Sequence, residues 1–115
     1  TIYFAGRQED MRPFYIDAAI TLICSLKEGL ALTAYESLAM GTPVITSDVG
    51  GQAELIDDSV GAVIPLLQKE ADSLDCRKFM PEELNLYANA ISKLLNKGNE
   101  EYYQTICKNC RKRTL

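Results

Sequence analysis

Short apolar runs alternate with amphipathic stretches along the first 65 residues. Ile2-Tyr3-Phe4-Ala5, closed by Gly6, predicts a buried strand. Ile20-Thr21-Leu22-Ile23-Cys24 predicts a second, and its lack of polar alternation is the pattern of a parallel sheet covered by helices on both faces. Val44-Ile45-Thr46 and Ala62-Val63-Ile64 predict a third and a fourth. Between the first two strands, Met11, Phe14, Tyr15 and Ala18 recur at helical spacing, with Asp10 as the expected N-cap and Pro13 in the first turn, where no N–H is needed. Thr33-Ala34-Tyr35-Glu36 has the form of a capping box. It opens a helix that stops at Met40, because Gly41 can take a left-handed turn and Pro43 cannot continue the helix. Gly50-Gly51 predicts a turn, and Gln52 to Asp57 a short helix.

Beyond residue 65 the pattern changes. Gln68 to Lys78 is polar and unpatterned, which predicts a loop. Leu84, Tyr87, Ala88, Ile91, Leu94 and Leu95 then share one helical face, begun near Pro81 and ended by Gly98. A last helix presents Tyr103, Ile106, Cys107 and Cys110, with Glu100 and Glu101 at its start and Lys108, Arg111, Lys112 and Arg113 at its end. That charge order complements the helix dipole, so the basic cluster is read as structural rather than as a membrane or phosphate site. The expected organisation is a core at 1–65, a polar loop at 66–80 and carboxyl-terminal helices at 81–113, in an α/β class with a Rossmann-like parallel sheet and flanking helices.

Composition narrows the classes of function. With 47% apolar and 24% charged residues and a net charge of −4, the chain is globular and has no broad cationic footprint for nucleic acid. No stretch reaches the roughly 20 apolar residues of a membrane span. Cys24 sits in an apolar run where a reduced thiol packs as a small hydrophobe, which suits a cytoplasmic setting. Cys107 and Cys110 form C-x-x-C, but with no His and no second such pair a zinc site lacks ligands, and the two are expected on the inner side of one helix turn. The chain begins at Thr1 and enters its first predicted strand at once, so a fragment of something longer is expected.

In open parallel sheets, ligands bind beyond the carboxyl ends of the strands. Three loops qualify: Gly6 to Glu9, Ser25 to Leu32, and Ser47 to Gly51. The second leads into a helix whose free N–H groups would hold a phosphate near Leu30 to Thr33. The Gly-Lys-Ser/Thr phosphate loop and G-x-G-x-x-G are both absent, and without His no Ser-His-Asp or Cys-His set can be built from this chain. Spacing and composition therefore reach a nucleotide or phosphate site and name no reaction.

Read in order, Glu28-Gly29-Leu30-Ala31-Leu32, then Glu36-Ser37-Leu38-Ala39-Met40-Gly41-Thr42-Pro43-Val44-Ile45, then Ser47-Asp48-Val49-Gly50-Gly51 and Glu54 resemble glycosyltransferase family 4. These retaining enzymes have the GT-B fold of two Rossmann-like domains, and the resemblance places this chain in the carboxyl-terminal, donor-binding one. It implies that Glu28 hydrogen-bonds the donor sugar near the reacting carbon. The backbone amides at Leu30, Ala31 and Leu32 would take the distal phosphate, with Gly29 and Thr33 flanking them, and Glu36 would hold the ribose hydroxyls. Gly50 and Gly51 would face the cleft. Ala31 departs from the Gly usual in the family, which puts donor affinity or geometry in question. The Arg and Lys that the family supplies from an earlier segment are not in this sequence, and Arg7 is at most a minor contributor.

The resemblance further implies transfer from a nucleotide diphosphate sugar with retention, without metal or cofactor, since no Asp-x-Asp triplet is present. The acceptor, a sugar or lipid-linked glycan, would be read by an amino-terminal domain outside this sequence. The full-length protein would then work in the cytoplasm or peripherally at the inner face of the membrane, and this chain alone would be an inactive fragment. Two other readings stand beside it: a nucleotide-sugar epimerase-like domain, and a noncatalytic nucleotide-binding or interaction module. An incomplete sheet would leave an edge and an apolar surface uncovered, so dimerisation or poor stability of this chain is expected.

Overall fold

Ile45 sits at the centre of a three-stranded parallel sheet, between Leu22 on one side and Ala62 on the other. The computed structural model describes residues 1–27, 29, 32–67 and 80–115, and the predicted loop over 68–78 lies outside them. The elements run α1 (Arg12–Asp17), β1 (Thr21–Ile23), α2 (Leu32–Ala39), β2 (Val44–Ser47), α3 (Gln52–Leu55), β3 (Gly61–Ile64), α4 (Pro81–Leu95) and α5 (Glu100–Arg113). The strand order is β1-β2-β3. Every residue of β2 is buried, as expected of a central strand covered on both faces. Helix α2 packs on β1 and β2, α4 on β2 and β3, and α5 against both α2 and α4.

The stop of α2 follows from backbone chemistry. The Gly41 amide donates to Leu38 O at 2.8 Å and the Thr42 amide to Ser37 O at 3.0 Å, a Schellman pair made possible by φ 81° at Gly41. At its far end, β2 carries polar side chains that are buried yet paired. Gln52 Nε2 donates to Thr46 Oγ1 at 3.2 Å, and Ser47 Oγ donates to Ser25 O at 2.5 Å. These bonds anchor the loop after β1 and helix α3 to the same strand end. At the other end of the chain, Ile106 and Cys110 of α5 are buried and Tyr103 and Cys107 half-buried, as its pattern predicts. Burial pushes the Cys110 thiol up to about 12, so it stays protonated and donates to Val60 O at 3.6 Å.

Five expectations are corrected. Ile2-Tyr3-Phe4-Ala5 forms no strand: it lies outside the three-stranded sheet, and Ile2, Tyr3 and Phe4 are exposed. A short apolar run becomes a strand only when a ladder partner lies beside it. The first helix begins one residue later than expected: Met11 is the N-cap, and Asp10, one position before it, accepts the Arg12 amide at 3.0 Å. Thr33 is not an N-cap either. Helix α2 starts at Leu32, so Thr33 lies inside its first turn and Glu36 accepts a bond from Tyr15 instead.

The buried stripe of α4 is also rotated. Glu83, Tyr87 and Leu94 face inward, while Leu84 and Leu95 are about half exposed. The apolar positions of this helix are broad enough to allow either stripe, and Glu83 decides between them by accepting the Leu67 amide just beyond β3. Cys24, finally, is exposed, because β1 ends at Ile23 and is an edge strand.

Candidate functional site

The loops after β1 and β2 meet. The Gly51 amide donates to Gly29 O at 2.7 Å, and Gly50 reaches this geometry with φ 55°, a left-handed conformation that other residues adopt at a cost. The Asp48 amide donates to Ile64 O at 2.8 Å, which holds the start of the second loop on β3. Leu32 and Thr33 open helix α2 and are exposed, so the first turn of the helix faces solvent near this junction. Gly29, Leu32, Thr33, Gly50 and Gly51 thus belong to one region at the carboxyl ends of the strands. Glu28, Leu30 and Ala31 lie outside the described residues.

One turn further along α2, Glu36 helps to line a cavity of about 470 Å³ between this helix and the segment leading into α1. Its other walls include Glu9, Arg12, Tyr15 and Tyr35. Glu9 comes from the first of the three loops expected to bind ligand, whereas Arg7 is not among the walls. Asp10, also at the rim, accepts both Nε and Nη2 of Arg12 at 2.9 Å. The side-chain hydrogen bonds from Arg12 lower the Asp10 pKa to about 2, so this acid is ionised and already paired.

Tyr15 is the functional candidate that the sequence did not disclose. Its helical spacing marked it as core, and it is indeed 5% exposed, but its hydroxyl donates to Glu36 Oε2 at 3.1 Å. Burial, and after it the Glu36 carboxylate, raises the tyrosine pKa, which keeps the hydroxyl a donor. The available signal was the phenol itself, since a buried Tyr hydroxyl normally requires a partner.

A second cavity, of about 520 Å³, lies between α5 and the Ala39–Thr42 turn and is lined by Lys108 and Arg111. It contains none of the residues expected to bind the donor and sits at the turn that leads into β2, away from the loop junction. Arg113, from the same basic cluster, has a structural role. It donates to Leu55 O and to Asp57 Oδ2, both at 2.8 Å. Among the described residues, no three His, Cys, Asp or Glu side chains converge as a metal site would require.

The profile of the family described as glycosyl transferases group 1 matches residues 1–97. The D-inositol 3-phosphate glycosyltransferase of Saccharomonospora viridis is 31% identical over 99 residues, covering 84% of this chain and 21% of that protein. The enzyme of the same description from Nocardiopsis dassonvillei is 39% identical over 57 residues, 50% of this chain and 13% of that protein. The sucrose-phosphate synthase of Thermosynechococcus elongatus superposes with a TM-score of 0.67 at 31% identity, over 90% of this chain and 22% of its own. The chain therefore spans about a fifth of the length of these relatives, or less. Matched by the family profile over most of its length, and built as a Rossmann-like parallel sheet of the kind found in GT-B enzymes, the chain belongs to the glycosyl transferases group 1 family.

Proposed function

We propose that this chain is the donor-binding part of a retaining glycosyltransferase that moves a sugar from a nucleotide diphosphate sugar to an acceptor. The observation that carries the reading is the Gly51-to-Gly29 bond, which joins the two glycine-bearing loops beside the first turn of α2. A donor needs such a junction, because its phosphate must approach backbone amides closely while its sugar reaches a carboxylate.

In this reading the family pattern assigns Glu28 to the sugar hydroxyls and the amides of residues 30–32 to the distal phosphate. Glu36 takes the ribose, and the cavity of about 470 Å³ beside it receives the nucleoside. Gly50 and Gly51 leave room on the cleft side. The main contribution to rate is electrostatic support of the leaving phosphate by fixed N–H dipoles, which need no reorganisation as charge develops. No metal or other cofactor takes part. The acceptor, a sugar or a lipid-linked glycan, is read by another domain. The setting is cytoplasmic, in keeping with the free thiols of Cys24, Cys107 and Cys110.

The test is a transfer assay on the full-length gene product with UDP-, GDP- and ADP-sugars, with the anomeric configuration of the product read by NMR. Retained configuration and activity that survives chelation are expected. Inverted product, or activity lost on chelation and restored by magnesium or manganese, would contradict the reading. Tight binding of a nucleotide sugar without any transfer would favour the noncatalytic module, for which Ala31 in place of the usual Gly is the specific motive.

A further inference from the structure

Tyr15 is held at both its backbone and its side chain. Thr42 Oγ1 donates to Tyr15 O at 2.5 Å, the Tyr15 amide donates to Met11 O at 3.2 Å, and the ring is buried. From this fixed base the hydroxyl meets Glu36, an exposed residue on α2 whose long side chain would otherwise sample several rotamers. Among the described residues, Tyr15 is the hydrogen-bond donor that reaches this carboxylate, and both residues line the same cavity.

We propose that Tyr15 is a positioning residue for nucleotide recognition: its hydroxyl fixes Oε2 of Glu36, leaving the rest of the carboxylate to accept a ribose diol. The proposal rests on the assignment of Glu36 to the ribose. A carboxylate accepts at both oxygens, so one bond to Tyr15 does not exhaust it. Pre-setting the rotamer removes an ordering cost that binding would otherwise carry. Because Tyr15 touches Glu36 and not the reacting atoms, its effect belongs in binding and not in the chemical step.

The test compares UDP with 2′,3′-dideoxy-UDP, and the corresponding GDP and ADP pairs, by calorimetric titration of the full-length protein. Wild type, Glu36→Gln and Tyr15→Phe are measured; phenylalanine keeps the buried ring, and unfolding temperature checks that the fold is kept. The wild type should prefer the ribonucleotide, and Glu36→Gln should remove most of that preference. Tyr15→Phe should reduce it by about five- to tenfold, the size of one ordinary hydrogen bond, while leaving dideoxy-UDP affinity unchanged. An unchanged preference in Tyr15→Phe would overturn the proposal, as would equal weakening of both ligands, which is the mark of a packing role. Should Glu36→Gln keep the full preference, the ribose assignment itself fails and the positioning role falls with it.

Discussion

The Gly51 amide and the Gly29 carbonyl are joined by a 2.7 Å hydrogen bond, although 22 positions separate them in sequence. The bond turns two loops that follow different strands into one surface. Its geometry depends on Gly50, whose φ of 55° costs a residue with a Cβ about 1 to 2 kcal/mol. Gly50→Ala should therefore lower stability by about that amount and weaken nucleotide-sugar binding as the junction shifts. Thermal unfolding and donor titration, run on the same preparation, measure the two effects separately.

The turn at Gly41 offers a sharper discrimination. A Cβ there would come within 2.7 Å of Arg111 Nε, and φ is 81°. The arginine is exposed and can swing aside, so the backbone sets the cost, about 1 to 2 kcal/mol for Gly41→Ala. Adding Arg111→Ala should not restore stability in denaturant unfolding. Recovery in the double variant would show that the side-chain clash dominates.

Asp57 links α5 to the β2–β3 connection and makes part of the stability acid-sensitive. The Ser59 hydroxyl, followed by the Arg113 guanidinium, lowers its pKa from 3.8 to about 2. A carboxylate with a depressed folded-state pKa stabilises the protein above its unfolded value and loses that contribution as pH falls through the folded one. The loss should therefore fall between about pH 4 and pH 2. Arg113→Ala removes three bonds, to Leu55 O, Asp57 and Ser59. It should cost about 1 to 2 kcal/mol at neutral pH, because the Asp57 pair is largely solvated and adds little. The acid step should shrink without vanishing, since Ser59 remains; urea unfolding from pH 7 to pH 2 reads both quantities.

β1 is an edge strand, and Leu22 within it and Leu84 on α4 are 50% and 57% exposed. Together with Cys24 and Tyr87 they line an apolar hollow. This chain on its own should self-associate in sedimentation velocity, and Leu22→Lys should shift it towards monomer. A monomer at high concentration before any substitution would show that the edge is adequately protected.

What could be read from the sequence was what local chemistry decides. Gly41 and Pro43 end α2 through backbone geometry, and Ile106 and Cys110 of α5 have one apolar stripe and no competing one. The core strands β1, β2 and β3 fall where their apolar runs do. What could not be read depends on partners distant in sequence. Ile2 to Ala5 has the composition of a strand but no ladder to join. Glu83 is buried by its bond to Leu67, which hydrophobic periodicity cannot anticipate. Glu36 was assigned to the proposed site by the family pattern alone. The tyrosine that holds it lies 21 positions away on another helix and looked like ordinary core.

The most direct measurement is an NMR titration of the full-length gene product with UDP-, GDP- and ADP-sugars, repeated with Glu28→Gln. The account predicts shifts centred on Gly29 to Glu36 and on Gly50 and Gly51 for one of the three bases. It also predicts that Glu28→Gln weakens the nucleotide sugar, by roughly 1.5 to 3 kcal/mol for each charged bond lost, while the bare nucleotide binds as before. Absence of any shift in this region with all three donors, or equal weakening of sugar-bearing and bare nucleotides, would contradict the donor-site assignment.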